Sequence, residues 1–289
     1  MKTTTTHITG ITGFIGQNLS PYLGERVVGV NLRKQDPLVF EKGAAVVHLA
    51  GKAHDVKKTS AASEYFTVNT ELTKKVFDAF LASEAQVFVF MSTIKALEGE
   101  EIGASAYSQS KYQAEEYILA QKVPPGKRVY ILRPVMVHGQ GNKGNLNLLF
   151  GVVKRLGIWP LAAFENKRSF VSVENLCFVV KALIANEKVA SGVYEVADEE
   201  ALSTNQLVAL AGEALQKKVA FWKVPKGLVY LLAKLGDVLP LPLNSERLEK
   251  LTENAVVDAS PLLKALGIKS LPLRTLEGFK KTFDSFVHE

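Results

Sequence analysis

Three glycines at a fixed interval, in Thr9-Gly10-Ile11-Thr12-Gly13-Phe14-Ile15-Gly16, do more than any other feature to narrow what this chain can fold into. They follow a strand-like stretch at 4–9 and open a helical pattern at 14–23. The reason for glycine at this point is steric. A tight turn, close approach of backbone N–H groups to a ligand, and close helix–strand packing each require a missing Cβ. A purely structural turn would accept glycine too. The position between the first strand and first helix of a β-α-β unit is what points to a pyrophosphate held at a helix N-terminus.

The rest of the first half keeps that rhythm. Strand patterns at 27–31, 45–49, 87–91 and 129–132 alternate with helical ones at 63–81 and 106–120. The runs Ala45-Val46-Val47-His48-Leu49 and Val87-Phe88-Val89-Phe90-Met91 sit without polar alternation, as strands covered on both faces do. Parallel strands of this kind bind ligands at their carboxyl ends, where the loops at 50–52 and 92–95 fall. After Arg133-Pro134 the pattern changes to a polar loop, Gly139-Gln140-Gly141-Asn142-Lys143-Gly144-Asn145, then short strands and helices. The expected fold class is α/β: a parallel sheet with helices on both faces, spanning 1–138, and a smaller, mixed C-terminal portion, mostly helical, spanning 139–289. Strand patterns at 169–173 and 193–196 would rejoin or border the main sheet.

Composition removes several alternatives. Of 289 residues, 47% are hydrophobic and 22% charged, enough for a large core. Cys177 is the single cysteine, so no internal disulfide or multi-cysteine metal site can form, and it lies in an apolar helical run as a small core residue would. The histidines His7, His48, His54, His138 and His288 show no ligand spacing, so no metal is expected. The net charge of +6 comes from scattered cations without interleaved aromatics, so no nucleic-acid partner is expected. The opening MKTTTTHITG lacks the apolar core of a secretory signal, which makes the expected location cytoplasmic. The apolar stretch at 227–243 is broken by Lys234, Asp237, Pro240 and Pro242, too interrupted to span a membrane. Residues 224–243 suit core packing, a lid over a substrate, or a surface resting on a membrane.

Two constellations carry chemistry. The second strand ends Asn31-Leu32-Arg33-Lys34, without the carboxylate that reads a ribose hydroxyl in NAD sites. Arg33 or Lys34 would meet a 2′-phosphate instead, which leans toward NADP; both also read as solvated loop cations. Tyr107 and Lys111 are four residues apart on one helix face. A phenol titrating at about 10 is a poor base, and a nearby ammonium would lower that value enough for proton exchange with a substrate hydroxyl. Such a pair also arises by chance on helix surfaces. Its context is the strand end Met91-Ser92-Thr93-Ile94-Lys95, which brings hydroxyls to the same edge of the sheet.

With Gly10-x-x-Gly13-x-x-Gly16, His48-Leu49-Ala50-Gly51, Val68-Asn69-Thr70, the Thr93 segment, Tyr107-x-x-x-Lys111, Leu132-Arg133-Pro134, Val137-His138-Gly139 and Arg168-Ser169-Phe170 in order, the chain resembles the extended short-chain dehydrogenase/reductases. Within them it is similar to the nucleotide-sugar epimerase/dehydratase group, including UDP-glucose 4-epimerases and 4-keto-sugar reductases of polysaccharide pathways. The resemblance implies a Rossmann-type domain binding NAD or NADP and a C-terminal portion binding a nucleotide-sugar. It implies Thr93 as the catalytic hydroxyl, Tyr107 as the acid–base and Lys111 as its partner. It implies cofactor contacts at Gly10, Gly13, Phe14, Ile15, Gly16, Asn31, Arg33, Leu49, Ala50, Gly51, Asn69, Pro134 and Val137. Asn145, Arg168 and Arg247 resemble groups that hold the substrate diphosphate and uridine, although Arg247 reads equally as a helix-surface cation. A homodimer through helices 63–81 and 106–120 is a further expectation, unless their apolar faces pack only on the sheet.

The chain departs from the group in three ways. Asn31 stands where many epimerases have an acid, Glu98-Gly99 and His138-Gly139 stand where Tyr-Gly is usual, and Ile94-Lys95 replaces the acidic pair of 4,6-dehydratases. Elimination of water needs that acid–base pair, so dehydration is disfavoured. What remains is a C4 epimerase acting through a 4-keto sugar, an NADPH-consuming 4-keto-sugar reductase, or a dinucleotide sensor that keeps the fold without turnover.

Overall fold

The structure, a computed structural model, describes residues 4–53, 61–142, 144–239 and 243–288. His54, Lys143, Pro240 and Pro242 lie outside the described residues. β1 (Thr6–Thr9) leads through the glycine turn into α1 (Phe14–Leu23), followed by β2 (Val27–Val30) and β3 (Ala45–His48). A helical stretch runs through α2 (Ala62–Tyr65), a π-helical turn (Phe66–Glu71) and α3 (Leu72–Ala82). β4 (Val87–Met91), a 3-10 turn (Ile94–Glu98), α4 (Ala106–Ala120) and β5 (Arg128–Pro134) come next. They are followed by β6 (Met136–His138), α5 (Asn145–Leu156), β7 (Ile158–Trp159), β8 (Phe170–Ser172), α6 (Val173–Ala185) and β9 (Gly192–Val196). The tail holds α7 (Thr204–Ala214), β10 (Ala220–Phe221), α8 (Lys226–Val238), α9 (Ser245–Thr252), α10 (Ser260–Leu266) and α11 (Thr275–His288).

These elements form two units. The first takes residues 1–135, 173–196 and 259–272; the second takes 136–172, 197–258 and 273–289. The first unit therefore takes back two segments from the stretch assigned above to the C-terminal portion.

The first unit is built on a six-stranded sheet in the order β2-β1-β3-β4-β5-β9. Every pairing in it is parallel. All residues of β3 and β4 are buried, which is why their sequences carry no polar alternation. Phe88 and Phe90 join Phe77, Phe80, Ala114 and Ile118 in one core, so α3 and α4 cover that face. On the other face α1 packs with α6, whose Leu176, Val179, Val180 and Leu183 are buried. Sheet growth reverses direction between β1 and β3, and a crevice for ligands opens at such a reversal, outside the carboxyl ends of the strands.

Two adjacent cations at the start of β5 close helices on both faces. Lys127 donates to the carbonyls of Phe80, Ser83 and Ala85, at 2.7–2.8 Å, at the end of α3. Arg128 donates to Leu183, Ile184 and Asn186 at the end of α6. Both arrangements satisfy carbonyls that a helix leaves unpaired, at its negative end.

The helix expected at 63–81 is interrupted. Within the π turn Thr70 donates to the Ser110 carbonyl at 2.9 Å and Asn69 to the Ser110 hydroxyl at 3.0 Å. The late strand patterns divide: β9 lies beside β5 in the main sheet, whereas β8 pairs with β6.

The second unit has its own core, in which Phe150, Phe170, Phe279, Phe283 and Phe286 pack with Leu146, Leu207 and Val208. α5, α7 and α11 surround it, and α7 starts with a reciprocal cap between Ser203 and Gln206. The apolar stretch beginning at 224 is only marginally core: of α8, Val229 and Ala233 are buried and most other positions face solvent. No helix among the described residues is long and apolar enough to cross a membrane.

Candidate active site

The glycine loop is shaped by contacts that leave no room for side chains. Gly10 has φ +70°, and a Cβ there would sit 2.7 Å from the Ala50 nitrogen. A Cβ on Gly16 would fall 2.5 Å from the Gly10 carbonyl oxygen, and Gly13 donates its N–H to the same oxygen at 3.0 Å. Phe14, Ile15 and Gly16 form the first turn of α1, which no side chain caps and no acid neutralises. Its N–H groups and positive helix end fit a diphosphate, so the residues present suit a dinucleotide cofactor.

The loop after β3 is held from below by a buried relay. Thr73 donates its hydroxyl to the Asn69 carbonyl at 2.6 Å, so it accepts from His48 Nε2 at 2.9 Å. That assignment makes His48 Nδ1 the acceptor for the Thr9 hydroxyl at 2.6 Å, and Thr9 in turn accepts the Ala50 N–H at 3.1 Å. Burial drives the His48 imidazole down to about 3, with the Lys111 charge adding to the effect. Neutral His48 thus ties β1, β3 and α3 together under Leu49, Ala50 and Gly51.

The sign of the resulting pH dependence follows from proton linkage. His48 titrates lower in the folded state than in the unfolded one, so the unfolded chain binds the extra proton as the pH falls below about 6.5. Its contribution to stability is complete above that pH and is expected to fall by about 3 kcal/mol between pH 7 and pH 4. Urea unfolding of wild type and His48→Gln across that range checks this, since the variant should lose the corresponding part of the slope.

Asn69 connects the relay to the loop after β3 and to α4. Its amide donates to the Lys52 carbonyl and the Ser110 hydroxyl, both at 3.0 Å, and its carbonyl oxygen accepts the Lys52 N–H at 2.7 Å. A Cβ on Gly51 would lie 3.1 Å from that Asn69 oxygen and 3.2 Å from Lys111 Nζ. The glycine loop, the Ala50-Gly51 loop and Lys111 therefore lie side by side.

Lys111 is buried, donates to the Met91 carbonyl at 2.7 Å and sits 4.6 Å from the centre of the Phe90 ring. Burial lowers its ammonium to about 8, with Glu115 acting in the opposite direction. Tyr107 lies in the first turn of α4, near enough to the buried Thr93 for that hydroxyl to act on its titration. Its net shift runs opposite to the lowering expected from the sequence. Burial raises the phenol, the Thr93 hydroxyl offsets part of the rise, and Tyr65, with ring centres 6.4 Å apart, adds to it.

Glu115, one turn beyond Lys111, accepts from the Ser92 hydroxyl and from Arg133 Nε at 2.9 Å. The buried Glu115 and the half-buried Arg133 brace the ends of β4 and β5 beside Lys111. Sequence reasoning passed over this pair, although the four-residue step from Lys111 to Glu115 was visible on the helix. It also passed over the role of His48, whose partners lie 39 and 25 residues away.

At the end of β2, Asn31 and Arg33 are exposed, and the Asn31 side chain accepts the Arg33 N–H at 3.0 Å, holding the turn. Pro134 ends β5 in the first unit, and Val137 lies in β6 of the second. Asn145 is the first residue of α5 and is exposed. Arg168 pairs with Glu253 at 3.1 Å and donates to the Lys250 carbonyl, while Arg247 lies on the exposed side of α9. Arg168 and α9 are thus in contact, with much of the guanidinium already engaged inside the second unit.

Residues 6–197 match the family model described as the NAD dependent epimerase/dehydratase family. A UDP-glucose 4-epimerase of Vibrio cholerae is 31% identical, covering 97% of this chain and 94% of that protein. An N-acetyl-alpha-D-glucosaminyl-diphospho-ditrans,octacis-undecaprenol 4-epimerase of Escherichia coli O157:H7 is 26% identical, over 84% of this chain and 78% of that one. Among solved structures, RMD from Pseudomonas aeruginosa complexed with NADPH superposes with a TM-score of 0.72 at 18% identity, covering 98% and 99% of the two chains.

Proposed function

The chain belongs to the NAD-dependent epimerase/dehydratase family, and from that premise we propose that it is a C4 epimerase of a nucleotide-linked sugar, in the first instance a UDP-sugar. The observation that carries the reading is Lys111, buried against the Gly51 loop and one helical turn from Tyr107, whose phenol is influenced by Thr93 at the end of β4. The 31% identity to a UDP-glucose 4-epimerase over nearly the whole chain supports the choice of reaction and nucleotide.

In this reading the first unit holds NAD or NADP through Gly10, Gly13, Gly16 and the Ala50-Gly51 loop, with Asn31, Arg33, Asn69 and Pro134 as further contacts, and Val137 of β6 is a contact from outside that unit. The nicotinamide supplies a reversible hydride acceptor when bound. Thr93 orients the C4 oxygen of the sugar, and Tyr107 takes the proton of the C4 hydroxyl. After the 4-keto sugar has turned over, Tyr107 returns the proton to the oxygen on the opposite face. Lys111 stabilises the phenolate during the interval in which the proton is away. Asn145, Arg168 and Arg247 in the second unit hold the diphosphate and uridine, arginine meeting phosphate oxygens in pairs. A homodimer through α3 and α4 belongs to the same proposal.

A second reading, a 4-keto-sugar reductase using NADPH, is favoured by Arg33 and by the lack of a carboxylate at the end of β2. The two are separated by supplying UDP-glucose with NAD, and a 4-keto sugar with NADPH, to the purified protein. The epimerase reading expects interconversion of UDP-glucose and its C4 epimer without net consumption of cofactor. Stoichiometric oxidation of NADPH with no interconversion of epimers overturns it in favour of the reductase.

A further inference from the structure

We propose that α8 seats the protein on an anionic lipid bilayer through a leucine-lined face that its own fold leaves uncovered. Leu228, Leu231, Leu232, Leu235, Val238 and Leu239 recur at helical spacing and are 45–86% exposed. At 100° per residue they occupy one continuous face, and the buried Val229 and Ala233 fall on another. The helix therefore has two apolar stripes, of which the second unit uses one.

The surroundings of the free stripe select its occupant. Between residues 217 and 239 there are five lysines, at 217, 218, 223, 226 and 234, against one carboxylate, Asp237. Lys217 donates to the Lys154 carbonyl and Lys226 sits over the Phe164 ring, so Lys218, Lys223 and Lys234 are the ones offered to headgroups. Asp237 is already engaged, accepting from the Ser245 N–H at 2.9 Å and the Ser245 hydroxyl at 2.6 Å. Trp222, 56% exposed, and Lys223 stand just ahead of the first turn. Apolar side chains beside lysines and an exposed indole make the pattern of a helix lying in a membrane interface, with the ammonium groups at the level of anionic headgroups. A second copy of this chain would bring the same lysines against each other. With 13 residues, α8 is about 20 Å long, short of the ~30 Å hydrocarbon core, so it lies on the bilayer and does not cross it. The proposal is independent of which sugar is turned over.

The test is flotation of the full-length protein with vesicles of equal parts phosphatidylglycerol and phosphatidylcholine, and with phosphatidylcholine alone. Wild type should float with the anionic vesicles and lose them as salt is raised. Leu231→Glu/Leu235→Glu should lower vesicle binding on the order of ten-fold or more, because two leucines that would enter the bilayer are replaced by charges. Both positions are exposed, so thermal unfolding should be unchanged and marks any variant that has misfolded. A milder pair, Leu231→Ser/Leu235→Ser, gives the same reading if the glutamates disturb the helix. Absence of wild-type flotation overturns the proposal, as does equal flotation of folded variants. Light scattering that shows a wild-type dimer converted to monomer by the variants also overturns it, by assigning the face to a second copy.

Discussion

Tyr107→Phe is expected to lower kcat by about 10³-fold while leaving the affinity for the dinucleotide within a few-fold of wild type. One oxygen is removed and the half-buried ring stays, so the edge contact with Tyr65 persists and the fold has no reason to change. In the proposed reaction the group lost is the one that exchanges a proton with the sugar oxygen, and positioned general acid–base catalysis contributes about 10²–10⁴-fold. Thr93 retains its place, since its Oγ accepts the Lys95 N–H at 3.3 Å. Steady-state assays of the C4 interconversion, paired with a cofactor titration, separate the two effects. A variant with wild-type kcat would remove Tyr107 from the chemistry. A dinucleotide sensor built on this fold would show no turnover in wild type and an unaltered binding response in the variant.

Gly10→Ala is expected to cost about 2–4 kcal/mol of stability and to abolish measurable dinucleotide binding. The backbone at Gly10 has φ +70°, where any L side chain is strained. The added carbon would also lie 2.7 Å from the Ala50 nitrogen and 2.9 Å from the Ala50 Cα and the Leu49 carbonyl carbon. These are backbone atoms, so no rotamer relieves the contact; the loop after β3 must move. That movement breaks the Ala50-to-Thr9 hydrogen bond and shifts Gly51 relative to Lys111, so a single methyl disturbs both the phosphate cradle and the reactive pair. Gly13→Ala is the control for stability only, because its Cβ would meet only the Gly10 oxygen at 3.2 Å and its φ is not positive, while the residue itself belongs to the proposed cofactor contact. Urea unfolding of both variants, and cofactor titration of Gly10→Ala against wild type, measure the effects. A Gly10→Ala protein as stable and as tight-binding as wild type would show that the turn does not depend on that close approach.

What local order dictates could be read from the sequence. The helices Phe14–Leu23 and Ala106–Ala120 begin and end where the periodicity places them, and the apolar runs of β3 and β4 are strands buried on both faces. The glycine turn between β1 and α1 and the shared helix face of Tyr107 and Lys111 depend on residues fewer than ten positions apart, so spacing alone determines them. Tertiary structure decided the rest. It chose β6 over the main sheet as the partner of β8, and it opened the π turn from which Asn69 and Thr70 reach Ser110. It gave His48 partners from β1 and α3, reversed the expected shift of Tyr107 by burying its ring, and left the leucines of α8 in solvent. Periodicity encodes which face of an element is apolar. Which distant residue that face meets, how much water stays beside it, and hence how its ionisable groups titrate are properties of the packed arrangement.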